Sequence, residues 1–182
     1  AAKDVMSCIS NAAARKLLRP ALESSLINRY GSDRYRMHDL VREFAFGKLH
    51  EDGEIMKVAP KAADHLISIC TKKPEQIEQE IGNLVGIVGT LDKIGAYDVL
   101  ISLVDCAIEP LEKQGMWLAW DRIMDRATKV VEGSSTSNKL GQYLFCKSRC
   151  LGHMGKIDDA LKTGEQALFC AQQSEDFSLQ AY

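Results

Sequence analysis

The chain has 182 residues, of which 46% are hydrophobic, and a formal net charge of −2. This composition is too apolar for a disordered protein, and the length suits one large domain or two small ones. No apolar run approaches the length of a membrane span, no secretory signal peptide opens the chain, and the six cysteines are irregularly spaced. We therefore expect a cytoplasmic protein with reduced thiols and no membrane partner.

Charge is distributed unevenly along the chain. Residues 1–50 carry a net charge of +4, whereas residues 51–182 carry −6. A basic front and an acidic back indicate two units with different roles.

The front of the chain predicts a helix followed by a two-stranded hairpin. Residues 12–24 have leucines at helical spacing, although Pro20 must either kink this helix or restart it. Residues 25–30 predict a strand, the Gly-Ser-Asp segment at 31–33 predicts a turn, and residues 35–38 predict the return strand.

A second helix is predicted to begin at Asp39. The carboxylate of Asp39 can accept hydrogen bonds from the free amides of the first turn, which makes this residue the expected N-cap. The helix carries one apolar stripe, formed by Leu40, Val41, Phe44, Ala45 and Leu49.

The corner between the return strand and this helix carries the triplet Met37-His38-Asp39. Together with the run from 17 to 49, it resembles the winged-helix segment of STAND-type NTPases of the NB-ARC group. In that family the histidine of the triplet contacts the β-phosphate of bound ADP and holds the closed state. The resemblance implies the sensor role for His38, packing beneath it for Met37, and the geometry of the helix start for Asp39. It also implies that residues 1–50 are part of a winged-helix domain.

The chain lacks the phosphate cradle of an NTPase, because no Gly-x-x-x-x-Gly-Lys-[Ser/Thr] motif occurs in it. An imidazole beside a phosphate would gain a charge-assisted hydrogen bond, so the sensor role is chemically sound. We therefore expect ADP or ATP in a longer parent protein only, with an upstream nucleotide-binding domain as a partner. For this fragment we expect no cofactor and no enzymatic activity.

The same front unit permits a second interpretation, because winged helices often place a helix in the major groove of DNA. Six basic residues could contact phosphates, namely Arg15, Lys16, Arg19, Arg29, Arg34 and Arg36. Solvated charges on a small basic domain would give the same distribution of basic residues, so DNA is an alternative partner that we do not favour.

Residues 51–74 predict a helical connector. The first part is polar, with a break at Gly53, and an apolar stripe between Ala62 and Cys70 then ends before Pro74.

Residues 75–182 predict helical hairpins in series. Gly95, Gly115 and Gly155 each lie between two apolar-periodic runs, where glycine can adopt the positive φ of a helix C-terminus. The turns at Gly115 and Gly155 are forty residues apart, and each of the three glycines is followed twelve residues later by an alanine. A fixed period with small residues in register predicts a solenoid of helix pairs, so the expected fold class is mainly α with one short β-hairpin.

The last helix pair, residues 140–173, resembles a tetratricopeptide (TPR) repeat. The segment Gly155–Leu161 matches the start of the second helix of that family, and Ser148 matches the small residue of the first helix. Leu151 stands where a large aromatic residue is usual, and Gln172 stands where proline is usual, so the repeat is degenerate. We expect the array of repeats to be truncated at its C-terminal end.

Two further segments resemble the irregular repeats that follow NB-ARC domains in many bacterial STAND regulators. They are Glu80-x-x-Asn83-Leu84 and Gly115-x-Trp117-x-x-Trp120. We expect one of the two tryptophans in the core and the other at a binding surface.

Four soft ligands near the end of the chain could hold zinc, namely Cys146, Cys150, His153 and Cys170. Cysteine is also a common small core residue, and the repeat register places these positions between helices. We therefore expect no metal.

Three functions remain open for the chain. The favoured one is the regulatory part of a STAND signal-transduction ATPase, in which His38 senses ADP and the repeats bind a protein or ligand and hold the resting state. A signal would then permit ATP exchange and oligomerisation. The alternative is a winged-helix DNA-binding transcription regulator with a TPR-like protein-interaction domain. The third is a scaffold without a switch that binds one partner on the concave face of its repeats.

Overall fold

The structure is a computed structural model and describes residues 11–30, 34–133 and 139–173. Within these ranges the protein is mainly helical, with a short antiparallel hairpin followed by a series of helices, which confirms the predicted class. Internal contacts divide the chain into two compact units, Ala1–His65 and Leu66–Tyr182, and the boundary lies inside a helix.

The first unit follows the predicted order of helix, hairpin and helix. Its elements are α1 (Asn11–Glu23), β1 (Ile27–Tyr30), β2 (Arg34–Met37), α2 (Asp39–Glu51) and most of α3 (Ile55–Lys72). The strands pair antiparallel, with Ile27 opposite Met37 and Tyr30 opposite Arg34. The turn predicted at 31–33 lies outside the described residues. Helix α1 continues through Pro20, so of the two alternatives, a kink or a restart, the restart does not occur.

The connector contains a longer helix than the sequence pattern predicts. Gly53 has a φ of 67°, which confirms the predicted break, and α3 begins two residues later at Ile55. Its buried stripe begins with Ile55, Ala59 and Ala63, about two turns earlier than the stripe predicted from Ala62. The sequence pattern did not predict these first turns because Pro60 is the sixth residue of α3, where proline removes a backbone hydrogen bond and is unusual.

The second unit is a run of helices joined by short turns. After a 3₁₀ turn (Pro74–Gln76), its helices are α4 (Ile77–Lys93), α5 (Tyr97–Lys113), α6 (Trp117–Glu132), α7 (Leu140–His153) and α8 (Ile157–Gln173). Each helix packs against the next, and α4 also packs against α6. The φ angles of Gly95, Gly115 and Gly155 are 71°, 66° and 75°, which confirms the three predicted turn positions.

Buried aliphatic and aromatic side chains hold the helices of this unit together. Leu84, Leu100, Leu111 and Trp120 are fully buried. Ion pairs join helices at the edges of this core, as Asp92 of α4 pairs with Arg126 of α6 at 3.0 Å, and Glu112 of α5 pairs with Arg149 of α7. Because these charges are partly exposed, apolar burial supplies most of the stability and the pairs help to set the helix register.

None of the helices in the described ranges is both long enough and apolar enough to cross a bilayer.

Candidate functional site at the strand-to-helix corner

His38 is the residue that joins β2 to α2. Its backbone is extended (φ −62°, ψ 144°), and its ring nitrogen Nδ1 accepts a hydrogen bond from the amide of Leu40 at 3.4 Å. His38 is therefore the N-cap of α2, and the cap predicted at Asp39 is wrong by one residue. Asp39 is already the first helical residue, and its carboxylate pairs instead with Arg42 at 3.2 Å.

The capping bond has a consequence for the chemistry of the His38 ring. Accepting a hydrogen bond requires a lone pair on Nδ1, so the proton of the neutral ring lies on Nε2. The side chain is exposed, and Nε2–H is thus a donor at the surface of the corner. The positive end of the α2 dipole lies beside it, which favours an anion at this place.

Met37 occupies the last position of β2, next to His38. It pairs with Ile27 across the hairpin, and directly opposite residues in antiparallel strands project to the same face. Ile27 is buried, whereas Met37 is only half-buried. The three residues of the predicted site are therefore neighbours along the chain, with Met37 on the inner face of the hairpin, His38 at the cap, and Asp39 in the first turn.

The apolar stripe of α2 lies beside this corner and is partly accessible. Leu40 is 71% exposed and Phe44 is 68% exposed, whereas Val41, Ala45 and Leu49 are half-buried. A helix with so large an apolar face normally buries it against another element. Within the described residues, Leu40 and Phe44 form the part of that face that is left exposed.

The six basic residues considered for DNA binding are divided among several surfaces. Arg19 on α1 is engaged with Glu23 at 2.7 Å. Side chains alternate along a strand, so Arg29 lies on the same hairpin face as Ile27, while Arg34 and Arg36 lie on the opposite face with Tyr30. The hairpin thus divides its basic residues between two faces, and only the outer face combines two arginines with an exposed aromatic ring.

One of the two tryptophans of the second unit lies in the core, as predicted, whereas the binding surface predicted for the other stays a prediction. Trp120 is fully buried, whereas Trp117 is half-buried at the start of α6. The ring of Trp117 stacks on the ring of His153 of α7, with the centroids 4.2 Å apart and the planes within 10°. The carbonyl of Trp117 also accepts a hydrogen bond from Cys150 Sγ at 3.2 Å. Trp117 therefore contributes to the contact between α6 and α7.

The thiols that could have bound zinc are neutral core groups. Burial raises the pKa of Cys146 and of Cys150 to about 11, so both thiols are protonated near neutral pH. Zinc binds the thiolate, and His153 and Cys150 are already engaged with Trp117. In the part of the chain that the structure describes, no group of three or more His, Cys, Asp or Glu side chains could hold a metal ion.

A shallow groove in the second unit was not predicted from the sequence. It has a volume of about 400 Å³ and lies among the end of α6, the start of α7 and one side of α8. The one signal in the sequence is Phe169, an exposed aromatic residue among polar neighbours on α8. The residues that line the groove include Leu140, Leu144, Lys162, Gln166, Phe169 and Cys170.

Comparisons with known proteins assign no family to the chain. No family model, no curated protein and no solved structure matches it. Its function is therefore inferred from the geometry around His38 together with the resemblance carried by the Met-His-Asp triplet.

Proposed function

We propose that this chain is the regulatory part of a STAND-type signalling ATPase of the NB-ARC group. In this proposal residues 17–49 belong to a winged-helix domain, and His38 contacts the β-phosphate of ADP held by an upstream nucleotide-binding domain. The observation that carries it is the arrangement of the His38 ring. Nδ1 is committed to the cap of α2, and Nε2–H is exposed beside a helix N-terminus.

The exposed face of α2 supports the same proposal. Leu40 and Phe44 lie within two turns of His38 and are uncovered in this chain. A nucleotide-binding domain that brings its ADP to His38 would also bury this face. The apolar contact would hold the closed state, and the imidazole would make that contact depend on the bound nucleotide.

The helices of the second unit support a role in recognition, and we propose that they are TPR-like repeats. The Ser148 hydroxyl donates to the carbonyl of Ala160 at 2.7 Å, and Gly164 lies directly against Ser148. Such small residues let α7 and α8 approach closely, as in solenoids of helix pairs. The proposed partner of these repeats is a protein or a ligand whose binding favours the open, ATP-bound and oligomeric state.

The proposal is tested first on the gene and then on its complete product. The coding sequence upstream of Ala1 is expected to contain a phosphate-loop motif followed by an acidic metal-binding strand. In the complete protein, His38→Ala should release ADP roughly ten times faster or more, because a hydrogen bond to a charged group contributes about 1.5–3 kcal/mol. Release is measured with a fluorescent ADP analogue and by the nucleotide content after purification.

Two further variants separate the phosphate contact from the helix cap. His38→Asn keeps a good N-cap but not the imidazole donor, so its fold should be as stable as the wild type while ADP is still lost. His50→Ala removes an exposed histidine near the other end of α2 and should change nothing. Unchanged ADP release in both His38 variants, or an upstream sequence without a phosphate loop, would refute the proposal.

A second candidate function is DNA binding by the winged helix. The observation in its favour is the outer face of the hairpin, where Tyr30, Arg34 and Arg36 lie together. Fluorescence anisotropy with a duplex of random sequence would then show binding that weakens steeply with salt and is lost in the variant Arg34→Glu/Arg36→Glu. The control is Lys57→Glu, which reverses an exposed charge outside the hairpin. The STAND proposal expects no such difference between the two variants.

A further inference from the structure

The shallow groove of the second unit has a counterpart one repeat earlier in the chain. Helices α4, α6 and α8 begin forty residues apart, at Ile77, Trp117 and Ile157, so their positions can be matched directly. The groove lies among the end of α6, the start of α7 and one side of α8. It therefore corresponds to the space among the end of α4, the helix α5 and one side of α6.

An arginine side chain fills that earlier space. Arg126 of α6 pairs with Asp92 at the end of α4, with 3.0 Å between Nη1 and Oδ2. The same guanidinium lies against Gly89, because a Cβ atom added to that glycine would be only 3.5 Å from Cζ of Arg126. The guanidinium thus closes the space between α4 and α6, which pack directly against each other.

The groove keeps the acidic residue of this arrangement but lacks the arginine. Glu132 stands forty residues after Asp92, and Gln166 stands forty residues after Arg126. Both Glu132 and Gln166 line the groove. Among the residues that the structure describes, Glu132 has no ion-pair partner. The carboxylate is therefore available to a cation that α8 itself does not supply.

The groove is also more open than its counterpart. Lys129 of α6 stands forty residues after Gly89, whose lack of a side chain allows the close approach of α6 to α4. No comparable packing joins α6 to α8 within the described ranges. Leu140 is only half-buried, whereas Leu100 at the matching position of α5 is fully buried. The result is an open volume of about 400 Å³.

The walls of the groove suit a cation on an apolar stem. The leucines of α7 and the exposed ring of Phe169 form its apolar part. Its charged side chains are Glu132, Glu165 and Lys162, so the lining carries one net negative charge. Burial, and then the Glu132 carboxylate, raises the pKa of Cys170, which also lines the groove. The carboxylate therefore lies close enough to act on groups inside the groove.

We propose that this groove binds a ligand that ends in an alkylguanidinium, as an arginine side chain does. The guanidinium pairs with Glu132, and its stem contacts Phe169, which repeats the position of Arg126 beside Asp92. A planar guanidinium fits a carboxylate better than an ammonium does, because it donates two parallel hydrogen bonds. The proposal concerns the second unit alone, so its test is independent of the ADP contact proposed for His38.

The segments of the chain beside the groove do not supply the cation. Residues 134–138 and residues 174–182 contain no lysine or arginine, and the second segment carries two acidic residues. Lys139 follows the first segment, but it pairs with Asp105 of α5. The charge of these segments therefore favours a separate ligand.

A helix packed on α8 in the way that α7 packs on α6 would leave the groove open. Helix α7 meets α6 at Trp117, which stacks on His153, and at Asp125, which pairs with Lys147. On the side of α6 that matches the groove, Arg122 is exposed although α7 is in place. The groove and the helix-packing face thus lie on different sides of each helix.

The probe for the test is N-acetyl-arginine methylamide, which is an arginine residue between two peptide bonds. It is titrated into the full 182-residue chain, isotope-labelled, and followed by the NMR shifts of backbone amides. Saturable binding with a dissociation constant on the order of 1 mM or tighter is expected, with shifts at residues 162–170. The citrulline analogue has the same shape without the charge, and it should bind roughly tenfold more weakly or less.

Two variants test the acid and the open volume separately. Glu132→Gln should weaken binding about tenfold or more, because it removes the anion. Gln166→Arg should block the groove to a similar degree, because the new side chain takes the place that Arg126 has one repeat earlier. Both positions are exposed, so the variants should retain the far-UV circular dichroism of the wild type. The control is Gln142→Arg, which adds the same charge to α7 outside the groove and should change nothing.

Three results would overturn the proposal: no saturable binding, equal binding of the citrulline analogue, or equal binding by Gln166→Arg. Binding that begins only when residues 174–182 are deleted would assign the groove to that segment and would also overturn it. Agmatine, an alkylguanidinium without peptide bonds, distinguishes the two sources of the ligand. If agmatine binds as tightly as the arginine derivative, the site takes small guanidino compounds. Weaker binding of agmatine assigns the site to arginine within a peptide.

Discussion

Tyr143 is a polar residue that is fully buried in the second unit. Its hydroxyl donates a hydrogen bond to Asp105 Oδ1 at 2.8 Å, and Lys139 pairs with the other oxygen of the same carboxylate. Burial, and then the Asp105 carboxylate, raises the pKa of Tyr143 above its ordinary value. The hydroxyl thus stays a donor, and it joins α7 to α5 inside the core.

Replacing Tyr143 by phenylalanine should lower the free energy of unfolding by about 1–2 kcal/mol, because it removes one buried hydrogen bond and leaves Asp105 with a single partner. Urea denaturation of the two proteins measures the difference. Tyr97→Phe is the matched control, since Tyr97 is 42% exposed, and it should change stability by no more than about 0.5 kcal/mol. Equal effects of the two substitutions would contradict this account of Tyr143.

Three buried thiols should make the protein less stable in alkaline solution. Burial is the main cause that raises the pKa of Cys70, Cys146 and Cys150 from 9.0 to about 11. A group with a raised pKa stabilises the fold fully below its unfolded pKa and loses that contribution as pH rises through its folded pKa. The free energy of unfolding should therefore fall by about 1 kcal/mol or more between pH 9 and pH 11. Urea denaturation at several pH values measures it, and a flat profile would show that these thiols titrate normally.

At the scale of elements, the contact between α7 and α8 depends on two small residues. A Cβ atom added to Gly164 would lie 3.1 Å from Ser148 Oγ, which is closer than an ordinary contact. The hydroxyl cannot rotate away without cost, because it donates to the carbonyl of Ala160 at 2.7 Å. Ser148 therefore limits the size of the side chain that position 164 can carry.

The substitution Gly164→Ala should therefore have opposite effects in two backgrounds. In the wild type it should destabilise the protein by about 1 kcal/mol, since crowding and the strained hydrogen bond outweigh the gain in helix propensity. In the Ser148→Ala background it should stabilise by about 0.5–1 kcal/mol, the propensity difference between alanine and glycine. A double-mutant cycle by urea denaturation measures the coupling. A coupling energy near zero would mean that the two residues do not restrict each other.

At the scale of the whole molecule, the two units differ in how much they bury. In the first unit the buried apolar residues among those described are Ile27, Ile55, Ala59 and Ala63, and α2 contributes none. The second unit has fully buried residues on α4, α5, α6 and α7. Local stability follows buried apolar contacts, so the first unit should open more readily than the second.

Hydrogen exchange should reveal this difference directly. Amides in α2 should exchange on the order of a hundred times faster than amides in the middle of α5 and α6. Mass spectrometry of peptic fragments measures both in one experiment. If the proposed function is right, α2 gains protection in the complete ADP-bound protein, whereas α5 and α6 change little. Equal protection of α2 and α5 in this chain would contradict the difference in burial.

Several features of the fold were predictable because they depend on neighbouring residues only. The turns at Gly95, Gly115 and Gly155 follow from the positive φ that glycine tolerates. The hairpin and the helix after it follow from strand-forming residues and a polar corner. The forty-residue spacing of helix starts was visible at Gly115 and Gly155, because each repeat carries its own turn signal.

The tertiary structure decided what covers each apolar face and which side chain makes each contact. Sequence chemistry favoured Asp39 as the cap, but the backbone places His38 at the capping position and leaves Asp39 to Arg42. Periodicity marked the stripe of α2 as apolar, yet Leu40 and Phe44 of that stripe are exposed and its other residues are half-buried. Periodicity reports only which side of a helix is apolar. Burial depends on elements far away in the sequence, and their positions are set by packing.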